Sequence, residues 1–155
     1  MKSYIGTKLI NATPMNRAEY NAYRSWELPA DENGADEGYL VEYMDGGKPN
    51  HASHTGYISW SPKEQFENAY RELKHLTFSM ALEALKMSAR VARAGWNGKG
   101  MWIGLHSEGG TFLHEATNTD MAYRDYIAMK TVDNQIVPWT ASQTDVLAED
   151  WYIVE

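Results

Sequence analysis

The residues that could carry out acid–base or metal chemistry are few and widely spaced. The chain has no cysteine, which excludes thiolate nucleophiles, disulfides and thiolate metal sites. His51 and His54 have a spacing that can present two imidazoles to a metal, but no third ligand is evident near this polar loop. Two histidines in a solvated loop are therefore the favoured interpretation, and we expect no metal site.

Two other pairs of neighbours could be catalytic. His114 and Glu115 could act as a base and the residue that orients it, but adjacent side chains on a strand face opposite sides. Glu149 and Asp150 have the same geometry and are expected in a solvated turn before the last strand. No Walker loop, G-x-S-x-G or H-E-x-x-H occurs. We therefore expect no catalytic residues, no enzymatic activity and no cofactor.

Two segments are dense in tryptophan, glycine and small polar residues, namely residues 93–101 (RAGWNGKGM) and residues 137–145 (VPWTASQTD). Glycines let a backbone approach a ligand closely, and the polar side chains can bond to base edges and ribose hydroxyls. A tryptophan offers a flat face to an adenine ring, a contact worth about 1–3 kcal/mol. The alternative is that Trp96 and Trp139 are core anchors beside turn residues, and composition alone favours that alternative.

The bulk composition indicates a folded protein that avoids long nucleic acids. Of the 155 residues, 43% are hydrophobic and 23% are charged, and the formal net charge is -7. Both halves are mildly acidic, without the basic stripe that a nucleic acid backbone or an anionic membrane requires. The first ten residues have no apolar core typical of a signal peptide, and no stretch approaches about 18 apolar residues. We expect a cytoplasmic protein.

In residues 1–73 the pattern predicts a small module of strands and helices. We predict a strand over residues 1–13 ending in a turn at Thr13-Pro14, and an antiparallel pair of strands at residues 38–44 and 57–60. A helix over residues 16–26 should be capped by Asn16 with Glu19 as the capping-box partner. Another helix should begin with Ser61 as its cap and Pro62 as its first residue, and bury Phe66, Ala69 and Tyr70.

Residues 77–155 predict a second module. Thr77 should cap a helix that runs to about residue 87, with Phe78, Leu82, Leu85 and Ala89 on one face. Strands are expected at 90–93, 100–106, 123–131, 135–137 and 151–154, with turns at Gly109-Gly110 and Asp133-Asn134, and a polar loop or short helix at 138–148. The fold class is α+β, with small antiparallel sheets and short helices. Modules this small would be marginal alone, which favours mutual packing or an oligomer.

Several segments of the second module resemble the second Thoeris anti-defence family in order and spacing over residues 77–154. The segments that carry the resemblance are TFSMALEALK (77–86), RVAR (90–93), GWNGKGM (95–101), YIAMKT (126–131), VPW (137–139), ASQTD (141–145) and LAEDW (147–151). The chain departs from the family pattern at Ser79 and Ser88, where glycines are expected. Residues 106–122 are longer than in the shortest members, which predicts an extra loop near the pocket.

The resemblance implies a phage protein that binds cyclic ADP-ribose isomers, made by bacterial TIR-domain enzymes, without cleaving them. It also implies a homo-oligomer, typically a tetramer, that binds the ligand between its subunits. The protein would act in the cytoplasm of the bacterial host. Some members of the family have a further site for cyclic dinucleotides. The residues that match its motifs and are expected to bind ligand are Trp96, Asn97, Met101, Trp139, Ser142, Gln143 and Asp145.

Two alternatives to sequestration stay open on the sequence. A hydrolase that opens a cyclic nucleotide would need Asp145 or His114 as its base. A structural or regulatory phage protein would bind a protein partner through its aromatic residues, which are common at interfaces. Residues 1–73 resemble a leader module of phage proteins without a known role, through LPADEN (28–33), DEGY (36–39) and GYISWSP (56–62).

Overall fold

The computed structural model describes residues 1–107 and 110–155. The chain divides into two compact units, Met1–Tyr70 and Arg71–Glu155, called here the N-terminal unit and the C-terminal unit. Both consist of antiparallel strands and short helices, so the α+β prediction is confirmed. No helix in these two ranges is long and apolar enough to span a bilayer.

The N-terminal unit is a three-stranded sheet with two helices. Its elements are β1 (Ile10–Pro14), α1 (Arg17–Tyr23), β2 (Gly38–Tyr43), β3 (Tyr57–Pro62) and α2 (Lys63–Ala69). The strands pair antiparallel in the order β1-β2-β3. Tyr20, Leu40 and Ile58 form the core, against which Met15 and Trp60 pack. A Cβ at Gly38 would overlap the Trp60 ring, so only glycine lets this ring lie on β2.

Two boundaries and the burial of one residue in the N-terminal unit differ from the sequence predictions. Thr13 and Pro14 extend β1 instead of forming a turn, because β1 is an edge strand, where proline costs no ladder hydrogen bond. Ser61 and Pro62 remain paired with β2, so α2 begins one residue later than expected. Ala69, predicted to be buried, is exposed.

The C-terminal unit contains a five-stranded antiparallel sheet in the order β10-β4-β5-β8-β9 and a separate hairpin β6-β7. Its elements are α3 (Phe78–Lys86), β4 (Arg90–Arg93), β5 (Trp102–His106), β6 (Thr111–His114), β7 (Thr119–Ala122), β8 (Tyr126–Lys130), β9 (Ile136–Pro138), α4 (Gln143–Val146) and β10 (Trp151–Val154). The extra loop predicted for residues 106–122 is thus largely a hairpin. The turn predicted at Gly109-Gly110 includes Gly109, which lies outside the described residues.

Helix α3 supplies one face of the core of this unit. Ala81, Ala84 and Leu85 are buried, and the partly buried Phe78 and Leu82 pack against the same cluster. Small residues on this face let the helix approach β4 and β10 closely. The predicted cap is confirmed, because the Thr77 side chain accepts a hydrogen bond from the backbone N–H of Met80.

Helices α1 and α3 end in the same way. Ser25 and Ser88 each lie one residue beyond the C-cap, with φ of 56° and 66°. This left-handed conformation closes many helices and is usually taken by glycine. Ser25 and Ser88 therefore carry backbone strain that glycine would not.

Candidate functional site

Four aromatic rings of the C-terminal unit form one cluster, called here the tryptophan cluster: Phe78, Trp96, Trp139 and Trp151. The ring centres of Trp96 and Trp139 are 6.2 Å apart, and each ring lies close to edge-on against Trp151, at 5.4 and 6.1 Å. Edge-to-face packing of this kind is favourable for aromatic pairs. The cluster joins the two tryptophan-containing segments, 93–101 and 137–145, that the sequence places 36 or more positions apart.

The segment 137–145 is held by short-range bonds. The backbone N–H of Trp139 donates to the backbone carbonyl of Ile127 in β8 at 2.9 Å. This bond fixes the position at which the chain leaves β9. Ser142 then caps α4: its hydroxyl accepts the Asp145 N–H, while the Asp145 carboxylate accepts the Ser142 N–H. This reciprocal capping box sets the start of a helix of only four residues.

The Asp145 carboxylate connects the two segments. Its Oδ1 accepts hydrogen bonds from Arg93 Nη1 at 2.8 Å and from Trp96 Nε1 at 3.1 Å. Its Oδ2 accepts from the Ser142 hydroxyl at 2.7 Å, and its backbone carbonyl accepts from Trp151 Nε1 at 3.0 Å. A buried carboxylate with this many donors fixes the orientation of the indole rings around it.

Arg93 bridges two carboxylates. Besides Asp145, it donates from Nε to Asp150 Oδ1 at 2.8 Å, and the other oxygen of Asp150 accepts the Gly95 N–H at 2.7 Å. Asp150 precedes β10 as expected and is partly exposed, but it is bonded into this network, whereas Glu149 beside it is exposed. The antiparallel pairing of Trp151 with Arg93 brings the residue before β10 next to the residues after β4.

The protonation states of this network follow from its bonds. Burial by itself would raise the pKa of Asp145, but hydrogen bonds from Ser142, Arg93 and Trp96 outweigh it and lower the pKa from 3.8 to about 2. The hydrogen bond from Arg93 likewise lowers the pKa of Asp150. At neutral pH the network therefore contains two carboxylates and one guanidinium, all charged.

The seven predicted site residues fall into two groups. Trp96, Trp139, Ser142 and Asp145 are brought together by the tryptophan cluster and its hydrogen bonds. In the described part of the chain, no hydrogen bond or ring contact joins the other three to that group. Asn97 and Gln143 are exposed on the same two segments. Met101 is half-buried, and its side chain lies so close to Gly98 that a Cβ at that position would overlap it.

The sequence interpretation missed three members of this network. Arg93, Asp150 and Trp151 lie within or beside the recognised segments, but none was assigned a role. The predicted strands at 90–93 and 151–154 are the sequence feature that could have revealed this network. If they pair antiparallel, the Arg93 guanidinium lies beside the Asp150 carboxylate. Trp151 is fully buried and is the centre of the ring cluster.

The histidine pair of the N-terminal unit is also more ordered than expected. His54 lies 3.1 Å from the Glu42 carboxylate and 2.9 Å from the Tyr23 hydroxyl, and only 16% of its side chain is exposed. His51 stacks on the Tyr23 ring at 4.5 Å. These contacts correct the interpretation of a solvated pair. Within residues 1–107 and 110–155, no group of three or more His, Asp or Glu side chains is placed to hold a metal.

Comparison with known proteins concerns the C-terminal unit. The model of a family described as the Thoeris anti-defense 2-like domain matches residues 76–154. A protein of Bacillus phage SP01 named Thoeris anti-defense 2 is 45% identical over 85 residues, which cover 51% of this chain and 94% of that protein. The matched region contains the whole tryptophan cluster and the Arg93 network.

Proposed function

The chain belongs to the Thoeris anti-defense 2-like family, and from this premise we propose that it is a phage anti-defence protein that sequesters cyclic ADP-ribose-type immune signals without cleaving them. Held in this way, the nucleotide would not reach the effector that it activates. We place the binding site in the C-terminal unit, because this unit corresponds to nearly the entire phage SP01 relative. The ligand would be held in the cytoplasm of the bacterial host.

One observation carries the proposal: the two segments with family motifs meet at Asp145. Trp96 and Trp139 are both partly exposed, so each can offer part of a ring face to a base while its other side packs in the cluster. The exposed amides of Asn97 and Gln143 can bond to base edges or ribose hydroxyls. A fixed set of rings with adaptable polar groups beside it suits tight binding.

The same network supports binding over hydrolysis. Asp145, the first candidate base of a hydrolase, has a pKa of about 2 and accepts four side-chain or backbone hydrogen bonds. A carboxylate this acidic takes up a proton poorly at neutral pH. The other candidate, His114, bonds through Nδ1 to Thr117 at 2.9 Å within the β6-β7 hairpin. Both candidate bases are thus engaged in local structure: Asp145 in the capping box of α4, and His114 in the turn that follows β6.

The proposal includes a homo-oligomer, with a tetramer as the specific expectation and the ligand between subunits. Strand β9 is an edge of the five-stranded sheet and exposes Ile136 and Val137, and Val146 and Leu147 are exposed at the end of α4. An apolar sheet edge left in water favours association with another chain. A second copy would cover this surface and could complete the walls around Trp139.

Mass spectrometry of retained ligand tests the proposal directly. The purified chain is incubated with cyclic ADP-ribose isomers and cyclic dinucleotides, washed and heat-denatured, and the released compounds are identified. We expect an unmodified cyclic ADP-ribose isomer in near-stoichiometric amount, and a cyclic dinucleotide as well if a second site exists. A linearised product would replace sequestration with hydrolysis. Retention of nothing would reject the ligand and favour a protein partner.

Exposed amides provide the matched variants. Asn97→Ala and Gln143→Ala should each weaken binding of the retained isomer about tenfold, the loss of one to two hydrogen bonds. Gln65→Ala removes an amide that is also exposed, in α2 of the N-terminal unit, and should leave affinity unchanged. Equal affinities for all three variants would remove these two segments from the binding site.

A further inference from the structure

We propose that the N-terminal unit has a ligand site of its own, an open cleft that binds a small organic phosphate bearing a planar ring. The cleft has a volume of about 780 Å³, within the range of small-molecule sites in proteins. It lies wholly within residues 17–60, outside the region that matches the family. The inference therefore does not rest on the function proposed for the C-terminal unit.

Aromatic rings give the cleft its flat walls. Trp26, Tyr57 and Trp60 line it, together with the buried Tyr20. Trp26 is 53% exposed and Tyr57 is 46% exposed, so each presents much of its ring to the open cleft. Such rings bind planar ligands by stacking, which does not depend on the identity of the ring.

Arg24 supplies a positive charge beside these rings. Its guanidinium lies 4.2 Å from the centre of the Trp26 ring, and its Nη1 is 3.5 Å from the Tyr20 hydroxyl. No carboxylate within the described ranges forms an ion pair with it. A guanidinium that is oriented by an aromatic ring and has no carboxylate partner can bind a phosphate through two parallel hydrogen bonds.

Arg17 is a second cation on the cleft wall, held differently. Its guanidinium lies 4.2 Å from the Trp60 ring centre, and Nη1 bonds to Glu32 at 2.7 Å. Its Nε is buried without a hydrogen-bond partner, since Asp36 Oδ2 is 3.7 Å away. Arg17 is therefore held by its own carboxylates, which leaves Arg24 as the cation of the cleft that is available to an anion.

The charged groups of the lining balance, with two arginines and two glutamates. Arg17 is engaged by Glu32 and also lies near Asp36, which is outside the lining, so Arg24 and Glu27 are the lining charges without an ion pair among the described residues. Glu27 is exposed and is therefore well screened by solvent, whereas Arg24 is half-buried against Trp26. The anion is expected at Arg24, with the ring of the ligand on Trp26 or Tyr57.

The frame of the cleft is fixed before any ligand arrives. Trp60 Nε1 donates to the Met15 carbonyl at 2.8 Å. The Asn50 amide bonds to both the N–H and the carbonyl of Ile58, at 2.8 and 2.9 Å, which ties the loop before β3 to that strand. A preformed wall lowers the entropy cost of binding.

Calorimetric titration of the full chain with three probes tests the proposal: adenosine monophosphate, adenosine and inorganic phosphate. The monophosphate has both features, and each of the others has one. We expect the monophosphate to bind at least about tenfold more tightly than either partial probe, because stacking and the charged hydrogen bonds act together. Absence of monophosphate binding, or equal binding of all three probes, would overturn the proposal.

Two variants and one control assign the site. Arg24→Gln should weaken monophosphate binding about 10- to 100-fold, and Trp26→Leu about fivefold or more. The control is Arg90→Gln, which removes the exposed Arg90 over Trp102 in the C-terminal unit and should leave affinity unchanged. An equal loss of monophosphate affinity in Arg90→Gln, or no loss in the two cleft variants, would show that the nucleotide binds outside the cleft.

The indole signals in NMR spectra distinguish binding in the cleft from binding at the site proposed in the C-terminal unit. The monophosphate should shift the signals of Trp26 and Trp60, and a cyclic ADP-ribose isomer those of Trp96 and Trp139. The same spectra show whether Arg24→Gln and Trp26→Leu remain folded. Shifts by the monophosphate confined to the C-terminal unit would refute the cleft while leaving the sequestration proposal intact.

Discussion

Arg24 of the N-terminal unit and Arg93 of the C-terminal unit lie beside tryptophans in opposite settings. Arg24 stacks on the half-exposed Trp26 at the wall of an open cleft and has no ion-pair partner among the described residues. Arg93 is held by two carboxylates next to a cluster of packed rings. The same residue types can thus form a core or a binding surface, depending on whether their charges are paired within the unit.

The largest expected contrast is between two tryptophans. Trp151→Ala removes a fully buried ring from the centre of the cluster and should lower the free energy of unfolding of the C-terminal unit by about 3–5 kcal/mol. Trp26→Ala removes a ring that is already half in water and should cost the N-terminal unit below about 1 kcal/mol. Urea unfolding, followed by the NMR signals of each unit, measures both. Equal losses would show that Trp26 is a core residue.

Two aspartates give the next contrast. Asp145→Ala leaves Arg93 partly unpaired where only 12% of its side chain is exposed, and should destabilise the C-terminal unit by about 3 kcal/mol. Asp45→Ala removes the exposed ion pair with Lys8 in the N-terminal unit and should cost below about 1 kcal/mol. Urea midpoints measure both. A small loss in Asp145→Ala would mean that the network only orients ligand groups.

Acid should weaken the C-terminal unit through the same carboxylate. The folded pKa of Asp145 is about 2, below its ordinary 3.8, so folding disfavours proton binding. The resulting stability, about 2 kcal/mol, is present above pH 3.8 and is lost as the pH falls through 2. Urea unfolding between pH 5 and pH 2 measures it, with Asp145→Asn as the control. An unchanged slope in Asp145→Asn would assign the acid sensitivity to other groups.

The smallest expected change in stability concerns a feature that the two units share, the left-handed serine that follows a helix. Ser25→Gly and Ser88→Gly relieve left-handed strain after α1 and α3, offset in part by the greater freedom of glycine in the unfolded chain. Each should stabilise its own unit by about 0.5–1 kcal/mol, seen as a higher urea midpoint. Ser79→Gly, inside α3, is the counter-example and should destabilise by about 0.5 kcal/mol. Stabilisation by Ser79→Gly would contradict the helix assignment.

Much of the local structure was predictable from the sequence. The Asn16-Glu19 capping box, the Thr77 cap and strand 151–154 occur as predicted, because caps and short periodic runs are set by neighbours in the chain. The boundaries at Pro14 and Ser61 were not, because strand pairing with β2 extended both segments. The hairpin at 111–122 was not predicted, because its strands, TFLH and TDMA, show no alternation of apolar and polar residues.

The family, the α+β class and the two tryptophan-containing segments follow from the amino-acid sequence, because they depend on the order and spacing of residues. Which charges meet depends on how distant parts of the chain pack together. Arg93 and Asp145 are 52 positions apart, and Arg24 and Trp26 are neighbours whose cleft is completed by residues 50–60. Whether an arginine is neutralised or left available depends on pairings between distant strands, and residue type and local periodicity do not encode them.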